Sequence, residues 1–413
     1  MRVVVIGSGI VGAGAAYYLS GRGADVTVVD GGYQGEATQA GAGIVCPWVD
    51  HPEDDDWYRL TREGARHYPD LVEGLGEDIG YAKVGALLVA EDPADLEPVR
   101  ALLRRRRPDA PEMGEVTDVA DPAELFPPLS DTLSALLVPG AARVDGCSVR
   151  DALLNAAVAR GAEVRTGAAR LTPDGEVIVH ALAGPSPTEP WRPAAPPPPA
   201  EPQGEVSGET TSWRQAAPLV PSAPPPATMG SARRFAGGGV PLEADMVIVA
   251  AGAWTGEVCR PLGVELPVFP RRGQILHVTL EGIDTAWWPI VLPSAGPYLL
   301  GFADSRVLIG ATVEDVGFAP RVTMGGLDEL IEAGLRVAPG LFGASVTETR
   351  VGLRPVYAPG PALIGPLTDR VVVATGLSAY GLTAGPFTGR IAAALALGEE
   401  PPLDVTPYAP PTA

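Results

Sequence analysis

The first thirty residues constrain the fold more than any other segment. Arg2 to Ile6 is a short β-branched run, and it leads through Gly7-Ser8-Gly9-Ile10-Val11-Gly12 into the Ala-rich, helix-periodic segment Ala13 to Ser20. That order predicts strand, tight turn and helix. A second strand, Val26 to Val29, ends at Asp30, close to the ~20-residue spacing at which a dinucleotide fold sets an acid on a ribose diol. Each glycine has its own task. Gly7 permits the sharp turn, Gly9 lets backbone approach a pyrophosphate, and Gly12 lets the helix pack on the strand, while the amides of Ile10 and Val11 open the helix toward the phosphates. Asp30, with Gly31 behind it, also disfavours a 2′-phosphate, since like charges would meet there. NADPH is not expected in this site on that ground.

Composition sets the outer limits. At 413 residues the chain is too long for one simple core, so two interleaved lobes are expected. A hydrophobic fraction of 46% and a mean hydropathy of +0.14 are those of a chain that folds. The formal charge of −20 argues against nucleic acid, whose phosphates it would repel. The apolar run at residues 3 to 6 stops at Gly7 without a charged leader or a cleavage site, so no export signal is expected. No apolar stretch approaches the roughly 20 residues that span a bilayer. Cys46, Cys147 and Cys259 stand far apart, which indicates neither a disulfide framework nor a metal site. A reducing, cytoplasmic setting follows as the expectation, and the sequence leaves the oligomeric state open.

Further along, Gly35 to Trp48 is too rich in glycine and small residues for an ordinary helix start. Tyr58 to Leu75 has the spacing of an amphipathic helix, and Val84 to Ala90 that of a strand entering a second lobe. The run Arg104 to Arg107 precedes Pro108, which predicts a solvated helix end. A helix from about Ser148 to Arg160 and a strand at Ala162 to Arg165 follow. Between 184 and 239 the composition changes to proline, with Pro196 to Pro199 and Pro224 to Pro226, and the expectation is a disordered or polyproline-like insertion. Trp191 and Trp213 within it could recruit a partner, although a tolerated insertion is the plainer reading. Order is expected to resume at Ala244, where a buried strand ends in a turn at Gly252. Gly296 to Leu300 and Val307 to Thr312 are expected to pair as strands.

The two ends of the chain together carry a resemblance. Gly352-Leu353-Arg354-Pro355, then Val371 to Gly376, then Gly381-Leu382-Thr383-Ala384-Gly385-Pro386, combined with the N-terminal fingerprint, resemble the D-amino-acid oxidase superfamily of FAD enzymes. The likeness is greatest to its glycine oxidase, sarcosine oxidase and D-amino-acid dehydrogenase branch. It implies an α/β chain with a Rossmann-like FAD-binding domain interleaved with an α+β substrate domain built on an antiparallel sheet. The FAD domain would take 1–80, 141–183, 240–265 and 349–413, and the substrate domain 81–140 and 266–348, with the insertion at 184–239. Thr38 would meet phosphate or ribityl oxygens, and Gly41, Ala42, Gly43 and Ile44 would touch the isoalloxazine edge. The strand near Arg170 would contact adenine. Gly376, Ser378, Ala379 and Tyr380, with the amides of Gly381, Leu382 and Thr383, would lie against the flavin and stabilise charge at N1 and O2. No Cys stands in the segment that some relatives link covalently, so FAD would be bound non-covalently.

The same resemblance implies the reaction: a hydride passes from the α-carbon of a small amine or amino acid to flavin N5, and water hydrolyses the imine. Arg354 would grip the substrate carboxylate with its planar guanidinium, and Tyr298 would cap the same group. Electrons would go to O2 or to a carrier such as a quinone. No protein base is needed, so His51, His67, His180 and His277 are expected to be ordinary surface or core residues. The chain departs from its relatives at Leu377 and Ala379, where some have His and Arg, and this leaves substrate identity open. Two other classes remain. Gly376 to Tyr380 matches a hydrolase nucleophile elbow except at its last position, and the proline-rich segment suits a flavoprotein kept as an assembly partner.

Overall fold

A computed structural model describes residues 1–182 and 235–411. Its first sheet has six strands in the spatial order Leu363–Thr368, Val371–Thr375, Met246–Val249, Arg2–Ile6, Asp25–Asp30, Glu163–Thr166. All neighbours are parallel except the first pair. Alternation splits the side chains of the central strand between two covered faces. Val3 and Val5 pack with Ala15, Leu19 and Ala392 of the helices, whereas Val4 and Ile6 pack with Leu171 and Val177 on the opposite face. That is why the strand is apolar at successive positions, as strands buried on both faces are. The second face is covered by a three-stranded antiparallel layer, Ala168–Leu171, Val177–Leu182 and Phe235–Leu242.

The helix Ile10–Gly21 lies between Gly146–Ala159 and Gly381–Leu397. Its contact with the latter is as close as backbones allow: a Cβ on Gly389 would stand 2.5 Å from the Ala15 nitrogen, and one on Gly14 3.1 Å from the Pro386 carbonyl oxygen. Pro386 sits inside its helix and donates no N–H, so the carbonyl four residues back, at Leu382, loses its helical partner. The buried Tyr68 hydroxyl, on the helix Asp55–Leu75, donates to that carbonyl instead.

The second sheet has eight strands in the order Ser345–Tyr357, Val268–Thr279, Arg306–Gly310, Tyr298–Gly301, Ile290–Pro293, Ala86–Ala90, Ser134–Val138, Thr117–Val119. It is antiparallel apart from one parallel pairing, Ile290–Pro293 with Ala86–Ala90, where two separate excursions of the chain meet without a hairpin. Its first two strands form a long ribbon, paired from Val268 with Tyr357 to Thr279 with Ser345. One end of the ribbon is embedded in the first lobe: the Leu353 amide donates to the Gly35 carbonyl at 2.8 Å, and Arg350 Nη1 donates to the Gln39 carbonyl at 3.1 Å.

Two expectations are corrected. Strand order resumes at Phe235 rather than Ala244, because Phe235–Leu242 pairs with Val177–Leu182; the rest of the proline-rich segment, including Trp191 and Trp213, lies outside the described residues. The arginine run is not a wholly solvated helix end. Arg106, last in the helix Glu97–Arg106, is buried over the Tyr58 ring at 4.0 Å and donates to the carbonyls of Trp48, Asp50 and His51 at 2.9, 2.7 and 2.8 Å. Three carbonyls and an aromatic face compensate its burial.

Tyr68→Phe strips the Leu382 carbonyl of its donor while changing shape little. It should cost about 1–3 kcal/mol, the penalty of a buried acceptor left unsatisfied. A lower denaturant midpoint with an unchanged slope is the expected result.

Candidate active site

One elongated cavity runs along the carboxyl ends of the first sheet and on into the space beneath the second. In an open α/β sheet this is where ligands bind. Of the residues expected from the sequence, Gly7, Gly9, Ile10, Val11, Asp30, Gly31, Thr38, Gly41, Ala42, Gly43, Ile44 and Gly252 line it. So do Tyr298, Arg354, Gly376, Ser378, Ala379, Tyr380, Gly381 and Leu382. Three do not. Gly12 lies under the turn, where a Cβ would come 1.9 Å from the Gly7 oxygen. Thr383 is buried behind the wall, its hydroxyl donating to the Ile44 carbonyl at 2.8 Å. Arg170 is exposed, and Gly167 and Ala169 beside it form the wall, since neighbours along a strand face opposite sides.

The dinucleotide end fits FAD. The helix Ile10–Gly21 has no side-chain cap hydrogen bond and no acid in its first turn, which leaves its positive end open to a phosphate. Thr38 Oγ1 accepts from the Ile10 amide at 3.0 Å, so this side chain holds the loop against the turn. Asp30 accepts from the Ser8 amide and hydroxyl at 2.8 and 2.6 Å and from the Gly32 amide at 2.6 Å. Gly43, with φ of 91°, could not be another residue: a Cβ would meet the Val144 oxygen at 1.8 Å. Burial and the neighbouring Asp30 push the Glu36 carboxyl above its usual range.

Farther along, Gly376 (φ 85°) and Ser378 (φ 49°) take left-handed conformations that turn the chain out of Val371–Thr375 and into the helix Gly381–Leu397. This helix too has no side-chain cap and no acid in its first turn. Its leading amides therefore offer partial positive charge to the cavity.

At the far end, Arg354 and Tyr298 come together from two strands of the second sheet. Arg354 Nη1 donates to the carbonyls of Arg272 at 3.2 Å and Thr312 at 3.0 Å, and its charge bears on the neighbouring Tyr298 phenol. Burial pushes the Tyr298 phenol up to about 12, against the pull of Arg354, so it keeps its proton as a donor. Two glycines make the room. A Cβ on Gly273 would fall 2.4 Å from Arg354 Nη1, and one on Gly310 would fall 2.8 Å from the Tyr298 oxygen.

Several wall residues escaped the sequence reading. Tyr33 stacks on Trp254 with ring centres 5.5 Å apart, and both line the dinucleotide end. Asp50 lines the other end and accepts a hydrogen bond from the Tyr380 hydroxyl at 2.6 Å. Cys46 is also in the wall, buried, its thiol pushed well above the ordinary range. Gly273 stands in Pro270-Arg271-Arg272-Gly273-Gln274, where its need is set by a side chain about eighty positions away. His67 and His277 are buried core residues, each lowered to about 4 by desolvation.

Gly273→Ala should push the Arg354 guanidinium off its carbonyls and weaken carboxylate binding by on the order of tenfold, the scale of one misaligned charged hydrogen bond. Titration of the purified protein with a simple carboxylate, followed through the flavin spectrum, would measure this. Unchanged affinity would remove Gly273 from the site.

Comparison with known proteins agrees with this geometry. The family model described as FAD dependent oxidoreductase, DAO, matches residues 2–185 and 228–395. An uncharacterized oxidoreductase, YurR, of Bacillus subtilis (strain 168) is 38% identical over 98% of both chains. The crystal structure of iminodiacetate oxidase from Chelativorans sp. BNC1 is 38% identical, covers 100% of each chain and superposes with a TM-score of 0.83. Glycine oxidase from Geobacillus kaustophilus, at 22% identity, shares the fold over 99% of this chain and 98% of its own, with a TM-score of 0.73. With matches over most of its length and a cavity shaped for the dinucleotide, this chain belongs to the DAO family of FAD-dependent oxidoreductases.

Proposed function

We propose that the chain oxidises a small amino acid or N-substituted amino acid, held by its carboxylate at Arg354. The observation that carries this reading is the state of that guanidinium. It is half-buried in a largely apolar wall with Ile275, Leu292 and Leu377, its hydrogen bonds go to the backbone carbonyls of Arg272 and Thr312, and no acidic side chain pairs with it among the described residues. A buried charge without a counter-charge is costly, and a substrate carboxylate supplies one with matching two-pronged geometry. The names of the relatives, glycine oxidase and iminodiacetate oxidase, point to the same substrate class.

When bound, FAD supplies the acceptor for the hydride that leaves the substrate α-carbon, and water then hydrolyses the resulting imine. The chain's part is to bind, orient and exclude. Arg354 and the Tyr298 hydroxyl fix the carboxylate from two directions. The apolar wall would displace water from the α-carbon, and the uncapped start of Gly381–Leu397 would favour negative charge on a cofactor held beside it. No titratable side chain is required to take a proton from carbon. O2 or a carrier is proposed as the final acceptor. FAD is proposed to be held without a covalent bond, since Cys46 is kept a thiol by burial and Cys147 and Cys259 are outside the cavity wall.

Anaerobic mixing with glycine, sarcosine, D-alanine and D-proline should bleach the flavin with at least one of them, and a spectrum unmoved by the whole panel would overturn the reading. Acid precipitation should release the flavin into the supernatant. Arg354→Ala should weaken carboxylate binding by about 3 kcal/mol, the scale for breaking a buried charge pair. Arg354→Lys should recover part of this, and flavin content should stay near that of the unsubstituted protein in both.

A further inference from the structure

The two carbonyls that hold Arg354 are themselves tied to one side chain outside the cavity wall, Glu314. Gly273 and Ile275 line the cavity, so alternation along their strand turns Arg272 and Gln274 to its other side. Both are buried there, 4% and 0% exposed, and their polar groups meet at Glu314. Arg272 Nη2 forms an ion pair with Glu314 Oε2. Glu314 Oε1 accepts from Gln274 Nε2 at 2.8 Å and from the Thr312 hydroxyl at 2.7 Å. The backbone repeats these ties. The Glu314 amide donates to the Arg272 carbonyl at 3.0 Å, the Arg272 amide donates to the Glu314 carbonyl at 2.9 Å, and the Gln274 amide donates to Thr312 Oγ1 at 2.9 Å. Burial would raise the Glu314 carboxyl, but the hydrogen bonds from Arg272, Gln274 and Thr312 hold it below its usual range, so it stays an anion.

Resting on the amino-acid reading above, we propose that Glu314 is a positioning residue for Arg354, setting the affinity for the substrate carboxylate without touching it. The two hydrogens on Nη1 lie in the guanidinium plane, so the carbonyls of Arg272 and Thr312 that accept from Nη1 fix that plane. Glu314 holds the first carbonyl through its own amide and the Arg272 ion pair, and the second through the Thr312 hydroxyl. A planar fork binds a carboxylate with two prongs only when the plane is set. The neighbouring charges are also shared out. Glu314 pairs with Arg272 and Asp315 pairs with Arg271 at 2.8 Å, which leaves Arg354 without an acid among the described residues.

The test uses the FAD-loaded full chain, with propionate as the carboxylate probe and titration calorimetry as the readout. Glu314→Ala frees both carbonyls and should weaken propionate by about tenfold, the scale of one misplaced hydrogen bond to a charge. Thr312→Val is similar in shape, keeps the Arg272–Glu314 pair and cuts only the hydroxyl tie, so it should lose about threefold and serves should Glu314→Ala fail to fold. Asp315→Ala removes the neighbouring acid, which touches neither carbonyl, and should leave the affinity unchanged. An ammonium has no plane to set, so adding Glu314→Ala to Arg354→Lys should cost about twofold or less, a non-additivity that loosened packing would not produce. Full propionate affinity in folded Glu314→Ala or Thr312→Val, with Arg354→Ala still weakened, overturns the proposal while the carboxylate reading stands. An equal loss from Glu314→Ala with and without Arg354→Lys assigns the effect to packing and also overturns it. Propionate affinity indifferent to Arg354→Ala overturns the carboxylate reading and this proposal with it. The expected losses with no amino acid bleaching the flavin would support the positioning role and overturn the oxidation reading.

Discussion

The contact between Gly7 and Gly12 is the constraint on which the rest is built. A Cβ at residue 12 would stand 1.9 Å from the Gly7 oxygen, and one at residue 7 would stand 2.4 Å from the Ala250 oxygen. With both absent, the first helix starts directly above the central strand, and its amides emerge at the carboxyl edge of the sheet. Everything that lines the cavity is placed relative to that start. Thr38 reaches it from one side, and Gly385 and Gly389 bring the C-terminal helix against its flank, where side chains would collide with Ile10 and the Ala15 nitrogen. Glycines from both ends of the chain thus converge on one short helix.

The helix ends show how backbone polarity is managed at such a site. An ordinary helix start is closed by a Ser, Thr, Asp or Asn cap, as Asp54 closes Asp55–Leu75 and Asp145 closes Gly146–Ala159. The two helices that open on the cavity lack such caps. Apart from the Ile10 amide, which Thr38 holds, their leading amides are left for a ligand, and stability is recovered by packing elsewhere. Pro386 continues the theme, since the carbonyl it leaves unpaired is taken by Tyr68 from a neighbouring helix.

What was legible in the sequence follows from range. The strand, turn, helix and acid of the first thirty residues are local, so period and glycine spacing suffice to read them. That the turn Gly376 to Tyr380 and Arg354 line the cavity was legible because they stand in motifs that resemble a family, and periodicity alone would not have marked them. The rest is set by partners far apart in sequence. Gly273 and Gly310 look like strand irregularities until Arg354 and Tyr298 are seen to lie over them. Asp50 looks like one more surface acid until Tyr380 closes on it. Arg106 belonged by composition to a solvated run, and only tertiary packing gives it Tyr58 and three carbonyls. The restart of the chain at Phe235 went unread because Gly237, Gly238, Gly239 and Pro241 are poor strand formers, held in line by pairing to Val177–Leu182.

The long ribbon bears on how the enzyme can move. Val268–Thr279 and Ser345–Tyr357 begin in one lobe and end in the other, paired along their length, and the ion pair between Arg306 and Asp145 at 3.2 Å ties the lobes a second time. Opening the lobes like a clamshell would require breaking this ladder of backbone hydrogen bonds. The loop that carries Asp50 and the Tyr380 side chain stand in the cavity wall outside this ladder, joined to each other by one side-chain hydrogen bond.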